Sequence, residues 1–226
     1  MSLVLLGGSV SPFVRKVRVV LAEKGIAHQH EQVNPFAPPA GYREISPLGR
    51  IPALKVGDRT LADSSVICAY LEKIHPQPAL YPSDPYDYAR ALWFEEFMDG
   101  GVVPVVGPKV FFPLVLKPLF SGGQAPDAAT EAAAKKCWDE EATPLIAYLE
   151  QELGDRAWFV GDGMTIADIT VGSMFVNTRH AGYAPERKRF PKLRGFLDRM
   201  WSRPSFKQVI EEETPIFGKR AANITD

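Results

Sequence analysis

The first eighty positions alternate short apolar runs with helical periodicities. Leu3 to Leu6 is a continuous apolar run of strand length, which suits a strand buried on both faces. Behind it, Ser11 is a good N-cap and Pro12 a good first helical residue. Val14, Val17 and Leu21 repeat at helical spacing, and Gly25 marks the end. Residues 28–33 are a weaker strand, and the loop NPFAPPAG after them excludes a regular element through its prolines and glycine. Residues 52–56, a Gly57-Asp58 turn and residues 59–62 read as a hairpin. Asp63 or Ser64 then opens a helix that carries Val66, Ile67, Tyr70, Leu71 and Ile74 on one apolar stripe.

After His75 the pattern changes. PQPALYPSDP is a proline-rich linker, and no strand pattern follows it. A helix from about Pro85 presents Leu92, Trp93, Phe97 and Met98, and residues 127–153 form a long alanine-rich helix ended by Gly154. In MTIADI, Thr165 and Asp168 have the spacing of a capping box. Pro191 and Pro204 open two short helices, and the tail after Gly218 has no core pattern. The reading is a small α/β domain over residues 1–79, a linker at 80–85 and an all-α domain over 86–226.

Residues 102–120 are nineteen mostly apolar positions, nearly enough to span a bilayer. Pro104, Pro108, Pro113 and Pro118 interrupt them, and Lys109 and Lys117 would be stranded in hydrocarbon, so a kinked helix end and an apolar loop are expected instead of a membrane span.

Composition narrows the function. With 226 residues and 46% hydrophobic content, the chain has ample material for a core, which excludes a disordered protein. The 26 Lys and Arg against 27 Asp and Glu leave a net charge of −1, so no nucleic-acid partner is expected. Residues 1–79 nevertheless hold nine basic against six acidic side chains, a hint that this part handles an anion. Cys68 and Cys137 stand far apart without a CxxC or a paired histidine, which argues against a disulfide scaffold, a zinc site or a redox pair. No basic residue precedes the short N-terminal apolar run, so no signal peptide is expected and the location is expected to be cytoplasmic.

Three loop segments carry candidate chemistry. Ser11 lies at a helix N-terminus, where unpaired N–H groups and a partial positive charge stabilise an anion. If the ligand were a thiol, that field and a serine hydrogen bond would favour the thiolate; simple N-capping explains the residue as well. In SPLGRIPAL, a cis Ile51-Pro52 bond would leave the backbone of Ile51 free to pair with an extended peptide, with Arg50 beside it for a carboxylate; a structural proline beside a surface arginine is the alternative. Asp63 and Ser64 could clamp an ammonium and a carboxylate, or merely cap a helix. No His and Asp arrangement surrounds the serines, and GGSVS lacks the glycine of a nucleophile elbow, which disfavours a serine hydrolase. Together the three segments describe a site for a short thiol-containing peptide.

On these motifs, SPFVRKVRVVLAEKGI, SPLGRIPAL, LADSSVICAYLE and MTIADI, in this order, the chain resembles the cytosolic glutathione S-transferase family, serine-type. The resemblance implies a thioredoxin-like N-terminal domain with an all-α C-terminal domain. It implies Ser11 as hydrogen-bond donor to the glutathione sulfur, Ile51 pairing with the cysteinyl backbone beside a cis Pro52, Asp63 and Ser64 at the γ-glutamyl end, and Arg50 at the glycyl carboxylate. Members that form mixed disulfides have cysteine in place of Ser11, and zeta-type isomerases carry a serine-serine-cysteine pattern where this chain has SVSPF. Both departures lower the expectation of those activities.

The expected function is conjugation of glutathione to a hydrophobic electrophile by a homodimer, with glutathione as co-substrate, no metal, and Phe13, Phe111 and Phe112 lining the electrophile pocket. A glutathione-dependent isomerase or dehalogenase on the same scaffold, or a non-catalytic binding or stress-regulator protein, are the alternatives. A thiol pKa lowered by two units corresponds to about 2.7 kcal/mol, within reach of one hydrogen bond to a charged group plus a helix terminus.

Overall fold

The computed structural model describes residues 2–224. Strand β1 (Leu3–Leu6) lies inside a four-stranded sheet of order β2-β1-β3-β4, parallel to β2 (Gln29–Glu31) and antiparallel to β3 (Ala53–Val56), which pairs with β4 (Arg59–Ala62). The unbroken apolar run of β1 is explained by its central position: Leu5 pairs with His30 on one side and Leu54 on the other, and is fully buried. Gly57, at φ +61, makes the two-residue hairpin turn.

Helices α1 (Pro12–Glu23) and α3 (Ser64–Ile74) build the main core with the sheet. The sheet's other small core, Leu6, Val33, Tyr42 and Ala53, is covered by the single turn α2 (Tyr42–Ile45), which the sequence pattern did not signal. A turn of four residues is too short to show periodicity. On α3 the apolar stripe is narrower than its sequence suggested. Ile67, Cys68 and Leu71 are buried, but Val66 and Ile74 are exposed, so the buried face is turned toward Cys68.

The remainder is helical. The expected apolar loop at 102–120 is not a loop: a continuous 36-residue helix runs over Pro85–Phe120. It comprises α4 (Pro85–Glu96), a π-helical stretch (Phe97–Val102), α5 (Val103–Val106), a second π-helical stretch (Gly107–Leu116) and α6 (Lys117–Phe120). Pro104, Pro108 and Pro118 sit in the first turn of their segments, and Pro113 lies within the wider π coil. In a π-helical turn the pairing shifts by one residue, so the missing N–H and the ring of a proline oppose the coil less than in an α-helix. By length and apolar composition alone this helix could cross a membrane, and a third of its most apolar window is buried within the protein. On α4 the buried face is Ala91, Phe94 and Glu95, while Leu92 and Trp93 of the apolar pattern are exposed.

Helices α7 (Ala128–Cys137) and α8 (Thr143–Leu153) are joined by a π-helical stretch (Trp138–Ala142) into the expected long helix. At the centre lies α9 (Ile166–His180), buried nearly throughout. Asp168 starts it: one carboxylate oxygen accepts from the Thr165 N–H at 2.8 Å and hydroxyl at 3.0 Å, the other from the Phe159 N–H at 2.9 Å. Helices α10 (Pro191–Trp201) and α11 (Pro204–Phe217) close the bundle. The last two residues of the tail lie outside the described ones. Both cysteines are free and buried.

Candidate active site

Between the sheet and the long helix Pro85–Phe120 opens a cleft of about 1480 Å³, larger than the roughly 300–1,000 Å³ of single-ligand pockets. Every candidate residue lines it: Ser11, Phe13, Arg50, Ile51, Pro52, Asp63, Ser64, Phe111 and Phe112. Residues spread over a hundred positions thus meet on one cavity.

The polar wall is built from loops at one end of the sheet. Gly7 lets β1 pass into α1, because a Cβ there would sit 2.4 Å from the Val14 side chain. Ser11 is the N-cap in extended conformation, and its Oγ accepts the Val14 N–H at 3.4 Å. Pro12 has no N–H, so the Phe13 amide is the one first-turn donor with no partner among the described residues. No acidic residue occupies the first turn to compete with a bound anion.

The Ile51-Pro52 bond is cis. Ile51 lies outside the sheet ladder, whose pairing begins at Ala53. The small helix α2 anchors this loop: the Tyr42 hydroxyl and Ser46 Oγ both donate to the Arg50 carbonyl, at 3.0 and 2.8 Å. The Arg50 side chain is exposed at the cleft.

Asp63 caps α3, its Oδ1 accepting from the Ser65 and Val66 amides at 2.9 and 3.3 Å. It does so at φ +80, the one described non-glycine residue at positive φ. Such backbone strain clusters at functional sites. Ser64 beside it is buried.

Behind Asp63 and Ser64 stands a charged group that sequence spacing could not show. Lys16 Nζ, with no exposed side-chain surface, reaches Glu95 at 2.8 Å, Asp99 at 2.7 Å and Ser65 at 3.2 Å. Burial alone would lower the Lys16 pKa, but the two carboxylates outweigh it and raise it. Burial raises that of Asp99, which lines the cleft. A second buried group, Arg15, Asn177, His180 and Glu213, abuts the Ser11 turn. His180 is fully buried and 3.0 Å from Glu213, with its pKa lowered by burial. All these partners lie too far along the chain for any local motif to join them.

The opposite wall is apolar. Phe112 is half-open to the cleft, whereas Phe111 is 5% exposed and mostly packed inward. Phe36, from the loop after β2, stands 5.9 Å from Phe112 and 5.7 Å from Phe120, ring centre to ring centre, and bridges the cleft mouth. An exposed Phe in a loop of turn formers was the only sequence signal for it. The arrangement juxtaposes an anion-stabilising helix end, loop polar groups suited to a short peptide, and room for an apolar molecule.

Comparison with known proteins gives the family. Residues 5–79 match the model of the glutathione S-transferase N-terminal domain, and residues 116–213 that of the C-terminal domain. The chain is 30% identical over 210 residues to a maleylacetoacetate isomerase of Pseudomonas aeruginosa, covering 88% of this chain and 92% of that protein. Among solved structures, a glutathione S-transferase of Rhodospirillum rubrum superposes with a TM-score of 0.81 at 27% identity, covering 92% of this chain and 91% of that one. A glutathione S-transferase of Methylobacterium radiotolerans in complex with glutathione sulfonate gives 0.74 at 29% identity, with 93% and 95% covered.

Proposed function

The chain belongs to the glutathione S-transferase family, and on that premise we propose that it conjugates the thiolate of glutathione to a hydrophobic electrophile. The observation that carries this reading is the convergence on one cleft of the Ser11 helix terminus, the Ile51-Pro52 loop and the Asp63-Ser64 turn, opposite Phe112 and its aromatic neighbours. Ser11 donates a hydrogen bond from its hydroxyl to the thiolate, and the first turn of α1 adds its positive end. Glutathione lies extended, its cysteinyl part against Ile51, its γ-glutamyl end at Asp63 and Ser64, and its glycyl carboxylate toward Arg50. Phe13 and Phe112 face the electrophile, and Phe111, expected beside them, packs inward behind that wall. Attack of sulfur on carbon forms the thioether and expels the leaving group with its electron pair. The residues act by positioning and by favouring the thiolate.

The glutathione domain is assigned to residues 1–79, the helical domain to 86–226, and the linker to 80–85. A cytoplasmic homodimer is the expected form. Support for the dimer comes from exposed apolar residues on α3 and α4, Val66, Ile74, Leu92 and Trp93, which one subunit leaves uncovered.

The Pseudomonas relative favours a second reading, a glutathione-dependent isomerase. One assay separates them. Incubation with glutathione and a chloronitrobenzene should consume glutathione stoichiometrically with product. An isomerase would turn over its own substrate with glutathione unconsumed, and a binding protein would bind glutathione with no turnover of either kind.

A further inference from the structure

The peptide group just before Ser11 is held by the helical half of the molecule. The Val10 carbonyl accepts from Asn177 Nδ2 at 3.1 Å and from Arg15 Nη2 at 3.3 Å. Arg15, on α1, has no exposed surface. Its Nη1 donates to the Ser173 carbonyl and to Asn177 Oδ1, both at 2.7 Å, and its Nε to the two carboxylate oxygens of Glu213 at 3.0 and 3.1 Å. Glu213, on α11, is also bonded to His180 of α9. Burial alone would raise the Glu213 pKa; Arg15 and His180 outweigh burial and hold it below the usual range.

Buried ion pairs are poor stabilisers, since apolar side chains of similar volume often serve as well. What this pair supplies is geometry. A guanidinium offers five donors in a fixed plane, and here they tie α9, α11 and the Val10 peptide to α1. A carbonyl is the negative end of a peptide dipole. Held by these donors, the Val10 peptide fixes the Ser11 backbone; left free, it would let that backbone turn and carry the Ser11 hydroxyl out of line.

We propose that Arg15, together with Asn177, is a positioning residue that sets how strongly Ser11 activates the thiol. This rests on the reading of Ser11 given above. The helical domain thereby tunes chemistry carried by the other domain, through one carbonyl oxygen.

The test is the thiol pKa of bound glutathione, read from thiolate ultraviolet absorbance of the binary complex and from the pH profile of kcat/KM. Asn177→Ala and Arg15→Lys should each raise it by about one unit, a roughly tenfold loss of thiolate below the pKa, with the glutathione Kd within about twofold. Neither should add a further shift in a Ser11→Ala background, because both act through Ser11. Should Arg15→Lys fail to fold, Asn177→Ala decides, since it leaves the Arg15–Glu213 pair intact. An unmoved pKa with a lowered melting temperature, or a full additional shift without Ser11, overturns the proposal. An ordinary thiol pKa in the wild-type complex overturns the reading of Ser11 and this inference with it. A lowered wild-type pKa that the variants leave unchanged overturns the inference alone.

Discussion

Gln32 holds Ser9 from both ends: its Nε2 donates to Ser9 Oγ at 2.7 Å, and its Oε1 accepts the Ser9 N–H at 3.0 Å. Ser9 is therefore tied to the segment after β2, two residues short of the helix. Ser11 lies at the terminus itself, and on the proposed reading it is the serine that donates to the thiolate. Ser11→Ala should raise the thiol pKa of the binary complex by one to two units, or roughly 1.4–2.7 kcal/mol, and Ser9→Ala should leave it within a few tenths. A shift confined to Ser9→Ala would reverse the assignment.

Asp63 caps α3 and, on the proposed reading, also holds the ammonium of glutathione, and one substitution can separate the two. Asp63→Asn keeps a side-chain oxygen for the Ser65 and Val66 amides, so α3 keeps its cap, but it removes the charge offered to an ammonium. Glutathione KM should rise several-fold with kcat little changed, because an end group far from sulfur binds ground and transition states alike. Steady-state kinetics with glutathione varied will show it; a loss in kcat alone contradicts the role.

Phe111 and Phe112 should behave differently although they are adjacent. Phe112→Ala should raise the KM of a hydrophobic electrophile and leave that of glutathione unchanged, because Phe112 opens onto the cleft. Phe111 is packed inward, so Phe111→Ala should mainly cost stability, about 3–5 kcal/mol by denaturant titration. Unchanged electrophile kinetics for Phe112→Ala would assign the segment to packing.

Asp168 gives stability an identifiable pH dependence. Burial pushes its pKa up to about 6 despite the three hydrogen bonds it accepts, against about 3.9 in the unfolded chain. Between these values the native state holds the proton more tightly than the unfolded state, so this group makes stability fall as pH rises through that window, by up to about 3 kcal/mol. Asp168→Asn should remove that slope. Unfolding free energies of both proteins from pH 4 to 7 will show whether their difference changes with pH.

The exposed apolar side chains of α3 and α4 predict association. Light scattering at micromolar concentration should give about twice the 25.0 kDa of one chain, and Trp93→Glu should shift the mass toward one. A monomeric wild type would remove the dimer from the proposal.

Local pattern determined a great deal here. Ser11-Pro12, Asp63-Ser64, Thr165 with Asp168 and the Gly57-Asp58 turn write the ends of elements into a few adjacent residues, because caps and tight turns are satisfied by neighbours. They sufficed to place the loops that carry the candidate site and to carry the family resemblance. What needed tertiary structure was everything whose energy depends on a distant partner. Residues 102–120 read as a loop because prolines oppose an isolated α-helix, yet packing and π-helical turns keep them helical. Nothing in the local sequence marks Arg15 and Lys16 as buried, and only folding brings Glu213 and Glu95 to neutralise them in the interior. Which face of α3 or α4 is buried was likewise decided by neighbouring helices, since an apolar stripe fixes a direction only when something covers it.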